Sequence, residues 1–186
     1  MRRSRPLTSG EIDLARSLFG GAIDYAAVRV HDGGYALIQR RNSGMTPRGE
    51  IYTRDCYSAD YAREPGDRRA FFLHEMAHVW QYQNKILHPV GEAVKLQLKH
   101  RFNYKSAYYF SLDPKKDLTD YGMEQQAAII EDYYLLRWRL QTGYCTDGTT
   151  ARERKKQFEA VLAKFLKDPS YAKRKRFRLF GHRFGR

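Results

Sequence analysis

The segment His74-Glu75-Met76-Ala77-His78 combines residue types and spacing that carry chemistry. Histidines at i and i+4 of a helix stand one turn apart on the same face. Their imidazole nitrogens can then converge on one tetrahedral Zn²⁺. The glutamate next to the first histidine sits where it can take the proton of a zinc-activated water, while the ion polarises a carbonyl. Phe71, Phe72, Leu73, Val79 and Trp80 flank the motif, so apolar residues cover most of the helix circumference and the helix reads as buried. Burying two imidazoles and a carboxylate is costly unless they are paired or metal-bound. That cost sets a metal site above an incidental pattern of three residues.

A catalytic zinc needs a third protein ligand and an open fourth position. The other histidines are His31, His88, His100 and His182, and none follows the motif at His-x-x-Gly-x-x-His spacing. Carboxylates are better placed. The segment Tyr121-Gly122-Met123-Glu124-Gln125-Gln126-Ala127-Ala128-Ile129-Ile130-Glu131-Asp132-Tyr133 reads as a long helix. Glu124 and Glu131 share one of its faces, with Ala127 and Ala128 between them, and small residues there let two helices approach closely. The reading takes Zn²⁺ as cofactor, His74, His78 and Glu124 as ligands, and Glu75 as the catalytic base. Glu131 is the alternative ligand, or a partner that orients a histidine; the competing reading makes it, with Asp132, an exposed acidic pair near Arg137. Tyr121, Tyr133, Tyr134 and His100 are candidate oxyanion donors, although tyrosines at helical spacing more often belong to a core. Trp80 and Gln81 read as packing and supporting residues.

The run Phe72-Leu73-His74-Glu75-Met76-Ala77-His78-Val79-Trp80-Gln81 resembles bacterial zincin-like proteins of the Vgr-related and Rhs-associated type. So does Tyr121-Gly122-Met123-Glu124-Gln125-Gln126-Ala127, and the likeness extends to the opening segment from Leu7 to Gly20, covering most of residues 7–140. The resemblance implies a zincin-like fold and a metallopeptidase site of the gluzincin type, in which a Glu-x-x-Ala or Glu-x-x-Ser helix supplies the third ligand. Glu124 to Ala127 fits that pattern. The acid that supports a histidine at the next position in that type is replaced here by Ala128, which leaves that support unassigned.

The elements that must position these residues are legible in outline. Thr8 and Glu11 have capping-box spacing and open a helix over about 9–19, which Gly20-Gly21 ends. Val28 and Val30, the turn His31-Asp32-Gly33-Gly34, and Tyr35 to Gln39 read as a hairpin. With Glu50 to Thr53 they predict a small antiparallel sheet of three strands. Asp67 is placed to cap the motif helix, and a further helix is expected over about 91–102, followed by a connection over 103–119. Thr119 or Asp120 would cap the Glu124 helix, reaching about Gln141. Thr149 or Thr150 would start a last helix with Phe158, Val161, Leu162, Phe165 and Leu166 in one stripe, ended by Asp168-Pro169. The expected architecture is α+β: a single mostly helical domain over 1–168 with the small sheet in its N-terminal part, and a basic aromatic tail over 169–186.

The formal net charge is +13 over 186 residues. Residues 1–5 contribute three bases, and residues 151–186 carry 13 Lys and Arg against three acids, so residues 6–150 sum to zero. A basic nucleic-acid-binding domain is therefore excluded as the explanation of the charge, and no nucleic-acid module is recognisable. The tail 171–186 has seven bases and interleaved Phe177, Phe180 and Phe184, and offers contact to a polyanion or an anionic membrane. Two cysteines, Cys56 and Cys145, exclude a disulfide framework. No signal-peptide pattern follows the basic start and no apolar run reaches about 18 residues, so the default expectation is a cytoplasmic protein, with export by a specialised secretion machine left open. The expected activity is zinc-dependent hydrolysis of a peptide bond in a peptide or protein. The rival expectations are a non-catalytic zinc- or polyanion-binding protein, and a secretion-associated effector using the same chemistry.

Overall fold

A computed structural model describes residues 3–35, 39–86 and 104–173. The expected helix over 91–102, His88, His100, His182 and the tail beyond residue 173 lie outside the described residues.

Local signals at the start of the chain are realised. Helix α1 (Ser9–Phe19) has Thr8 as N-cap: its hydroxyl accepts the Glu11 N–H at 3.1 Å, and the Glu11 carboxylate accepts the Thr8 N–H at 2.9 Å. Gly20 ends it with φ +50°, a left-handed conformation that glycine adopts without Cβ strain. Glu11 is completely buried, yet it is fully used. Both terminal nitrogens of Arg5 donate to it at 2.7 Å, and the Tyr61 N–H donates at 2.9 Å. One carboxylate thus ties the first strand, α1 and the short 3-10 turn Tyr61–Arg63 together.

The sheet has four strands, β1 (Ser4–Pro6), β2 (Arg29–Asp32), β3 (Ser43–Met45) and β4 (Ile51–Arg54), in the order β1-β2-β4-β3. This corrects the expected three-stranded antiparallel sheet and its hairpin. β2 pairs antiparallel with β1 and parallel with β4, Val30 lying opposite Ile51. Only β3, on the far edge, is antiparallel to β4. The alternation of Val28 and Val30 did report a strand with one buried face, but its partners come from the N-terminus and from beyond residue 50. Leu37 and Ile38, half of the expected hairpin, lie outside the described residues. Val30, Ile51 and Thr53 point into the core, while His31 and Tyr52 stack on the outer face with ring centroids 4.1 Å apart.

Helix α2 (Gly66–Gln83) lies beneath the sheet and packs chiefly against α3 (Met123–Arg137). Pro65, not Asp67, is the N-cap of α2, and Asp67 falls in its first turn. Gly122, not Thr119 or Asp120, caps α3, its N–H donating to Gln125 Oε1 at 3.1 Å. Those earlier residues instead form a separate 3-10 turn, Leu118–Asp120. Ala127 and Ala128 are fully buried at the α3 surface. The last helix is broken: α4 (Ala151–Val161), capped by Thr150, and α5 (Ala163–Lys167) meet at Leu162. The break turns Leu166 outward while Phe158, Val161, Leu162 and Phe165 stay in the core. Trp80 packs between Phe19 and Phe165 and donates its indole N–H to the Pro169 carbonyl at 2.8 Å. Cys56 and Cys145 are free thiols. Among the described residues no helix is long and apolar enough to cross a membrane.

Glu11→Ala leaves the Arg5 guanidinium and the Tyr61 N–H without their buried acceptor. We expect a loss of about 3 kcal/mol or more in unfolding free energy, measured by denaturant titration. A loss below about 1 kcal/mol would refute the view that this carboxylate joins the three elements.

Candidate metal centre

The α2–α3 interface brings together residues 46 and 57 positions apart in sequence. His78 Nε2 lies 3.2 Å and His74 Nε2 3.4 Å from one oxygen of Glu124. His74 Nδ1 lies 2.9 Å from Glu131 Oε2, and His78 Nδ1 lies 2.8 Å from Gln81 Oε1. His74, Glu75 and Glu124 are each buried. Glu131 is therefore the partner that orients His74, and Asp132 is not exposed beside it: it is completely buried and accepts the N–H groups of Gly143, Tyr144 and Cys145 at 2.8, 2.9 and 2.8 Å.

The hydrogen-bond network assigns the tautomer of each neutral imidazole. The amide nitrogen of Gln81 donates to the Met123 carbonyl at 2.9 Å and to Gln126 Oε1 at 3.1 Å. Its oxygen end must then face His78, so Nδ1 of a neutral His78 carries the proton. Glu131 imposes the same tautomer on His74. Both Nε2 lone pairs then point at a carboxylate oxygen, an arrangement that repels unless positive charge lies among the three atoms. The donor atoms of His74, His78 and Glu124 all lie within 4.8 Å of one another. Two of the edges, 3.2 and 3.4 Å, bracket the edge of about 3.3 Å that a tetrahedron with metal bonds of about 2.0 to 2.1 Å requires. The donor set of two imidazoles and one carboxylate also suits zinc.

Without a metal, protons take that place. Burial disfavours the His74 imidazolium, but hydrogen bonds to Glu124 and Glu131 outweigh it and hold its pKa well above 6.5. His78 is opposed by burial in the same way and raised by Glu124. Burial would raise Glu124, and the charge on His78 with the two imidazole bonds drives it far below 4.5. Glu75 moves the other way: burial raises it more than His78, His74 and Thr46 lower it.

Glu75 points to the sheet side of the cluster. The Thr46 hydroxyl donates to its Oε2 at 2.5 Å. The backbone of β3 presses on the other oxygen so closely that a Cβ at Gly44 would overlap the carboxylate. Thr46 and Gly44 carry no motif and sit far upstream, so the sequence reading missed them. It also missed the aromatic wall opposite. Tyr108 stacks on His74 with centroids 5.5 Å apart, and Tyr144 stacks on Tyr108 at 5.4 Å. Burial and the nearby Glu131 and Asp132 charges keep the Tyr144 phenol protonated. Of the candidate oxyanion donors, Tyr121 and Tyr133 are engaged elsewhere, and His100 lies outside the described residues. The Tyr121 hydroxyl accepts the Asp113 N–H at 2.9 Å, and Tyr133 packs on Phe158. The Tyr134 hydroxyl is buried with no hydrogen-bond partner among the described residues. His31 stands apart, its Nε2 2.8 Å from Glu50.

A small mixed sheet over two helices that bury a His–Glu–His turn against a glutamate defines a mixed α/β domain. No family model matches the chain. It is 39% identical over 133 residues to the type VI secretion system spike protein VgrG2b of Pseudomonas aeruginosa, a match covering 70% of this chain and 13% of that protein. Among solved structures, the effector domain of Pseudomonas aeruginosa VgrG2b superimposes with a TM-score of 0.69 and 32% identity, covering 86% of this chain and 82% of that one. The chain belongs to the family of the VgrG2b effector domain. It corresponds to a small part of the length of the curated spike protein.

For the metal-free protein the sign of the pH dependence follows from these shifts. The lowered Glu124 contributes stability above its unfolded value of 4.5 and loses it as pH falls towards its folded value. The raised histidines contribute fully below 6.5 and lose that contribution as pH rises through their folded values. In chelator, the denaturation midpoint should therefore fall as pH is raised from about 6 to about 9. A midpoint that rises over that interval would contradict the protonated cluster.

Proposed function

We propose that this chain is a zinc-dependent peptidase acting as a secretion-associated effector. The observation that carries the reading is the convergence of His74 Nε2, His78 Nε2 and a Glu124 oxygen within 4.8 Å, with Glu75 buried beside them. His74, His78 and Glu124 would hold the ion and leave a fourth position open. Zinc in such a site supplies Lewis acidity towards a carbonyl and lowers the pKa of water towards neutrality.

The chain's own residues do the rest. Glu75 accepts a proton from the attacking water at one carboxylate oxygen and returns it to the leaving amine. Its other oxygen stays on the Thr46 hydroxyl, which fixes the rotamer. Glu131 and Gln81 hold the histidines in the tautomer that presents Nε2. Tyr108 and Tyr144 wall the cluster on the His74 side, with phenols able to donate to developing negative charge. The kinship with the VgrG2b effector domain supports delivery by a type VI secretion machine, since that relative is a spike protein of such a system.

Purified wild-type protein should contain about one zinc per chain by elemental analysis and hydrolyse an unfolded protein substrate. Glu75→Gln should retain the metal and lose activity by about a hundredfold or more. Glu124→Ala should lose the metal, and Glu131→Gln should keep it with about 10- to 100-fold weaker affinity in chelator competition. Undiminished hydrolysis by Glu75→Gln, or stoichiometric zinc in Glu124→Ala, would refute the assigned roles.

A further inference from the structure

Where α3 ends, the chain presents an indole to solvent. Trp138 is the C-cap residue, and its backbone N–H is held by the Tyr134 and Leu135 carbonyls at 3.3 and 3.2 Å. Arg139 then takes a left-handed conformation with φ +57°, and the Leu140 N–H returns to the Leu135 carbonyl at 2.8 Å. The turn is closed underneath, where the Leu140 side chain packs over Gly66. Trp138 is nevertheless 61% exposed and Leu140 40% exposed. An indole and an aliphatic group exposed together on one turn and rimmed by charge form the kind of surface that marks an interaction site.

Beside this turn runs an open groove of about 750 Å³ between the end of α3 and the start of α4. Leu136, Leu140 and Ala151 give it an apolar floor, Arg137, Arg139, Arg152 and Lys155 supply the charge, and no acid among the described residues lines it. The neighbouring acids are partly engaged. Glu153 accepts the Thr150 N–H at 3.1 Å, and Glu159 lies 3.8 Å from Lys155 in an exposed pair. The Arg69 guanidinium adds a further charge 5.7 Å over the Trp138 ring.

We propose that this face docks on an anionic phospholipid bilayer, with Trp138 and Leu140 at the head-group level and the four bases against the lipid phosphates. Exposed indole and aliphatic groups ringed by Arg and Lys are the composition that partitions to such an interface. An acidic peptide confined to the groove would satisfy the bases and leave Trp138, which does not line the groove, in water. A bilayer takes up both. The inference is independent of the metal centre, since none of these residues touches it.

The test uses the full chain and the emission of its two tryptophans, because Trp80 is completely buried and a change on binding reports Trp138. With phosphatidylglycerol–phosphatidylcholine vesicles the emission should shift to the blue and be quenched by brominated acyl chains. Phosphatidylcholine vesicles should leave it unchanged, and high salt should reverse the shift. Trp138→Phe should abolish the response and weaken co-sedimentation. Arg152→Gln/Lys155→Gln, both at exposed positions, should weaken vesicle partitioning about fivefold per base removed, with the thermal midpoint unchanged. An emission unmoved by anionic vesicles overturns the proposal, even where the chain co-sediments through another basic segment. An equal shift with polyglutamate overturns it in favour of an acidic peptide.

Discussion

Two imidazoles and three carboxylates share the space between α2, α3 and β3, and the architecture follows from having to keep them there. With neutral histidines, Glu75, Glu124 and Glu131 would place three negative charges in a region of low solvent access, a configuration that costs several kcal/mol per unpaired ion. Two positive charges bring the cluster close to balance. Protons on His74 and His78 can supply them, and so can one divalent ion. The upward shift of both histidines and the downward shift of Glu124 correspond to the first solution, and the Nε2-outward tautomers favoured by Glu131 and Gln81 are those that the second requires. The same requirement explains the close helix contact at Ala127 and Ala128, which lets carboxylates on α3 reach imidazoles on α2.

The sheet joins the cluster through its edge. β3 is the edge strand paired with β4, and its Gly44 lies against the Glu75 carboxylate that Thr46 hydrogen-bonds. A carboxylate gripped in this way has little side-chain freedom left to lose, so its position is set during folding. The link also makes the N-terminal part of the chain necessary to the cluster. Glu11 anchors β1 and α1 to the turn before α2, β1 pairs with β2, and β2 with β4, so the chain of contacts runs from Arg5 to Glu75.

What could be read from sequence was what is local or periodic. The capping box of Thr8 and Glu11, the four-residue spacing of His74 and His78, and the seven-residue spacing of Glu124 and Glu131 are each written within one element, and the structure places all of these groups where such spacing implies. The strand order was not legible. Strands of three or four residues carry little pattern, and the parallel pairing of β2 with β4 depends on contacts with no local signature. The helix starts at Gly66 and Met123 were misjudged because Asp67, Thr119 and Asp120 have good capping side chains, whereas the backbone entered through Pro65 and Gly122. Thr46, Gly44, Tyr108 and Tyr144 belong to the cluster only through tertiary packing, so their residue types alone could not nominate them.

Glu131 and Asp132 are consecutive, and the helical step of about 100° per residue sends their carboxylates in different directions. One meets His74. The other gathers the backbone of residues 143–145 and so fixes Tyr144, whose ring leads through Tyr108 back to His74. A single turn of α3 therefore closes a mechanical loop around one imidazole, holding its edge by a hydrogen bond and its face by stacked rings. A tilt of that turn would be felt at both contacts together, which makes it a two-armed lever on the His74 imidazole.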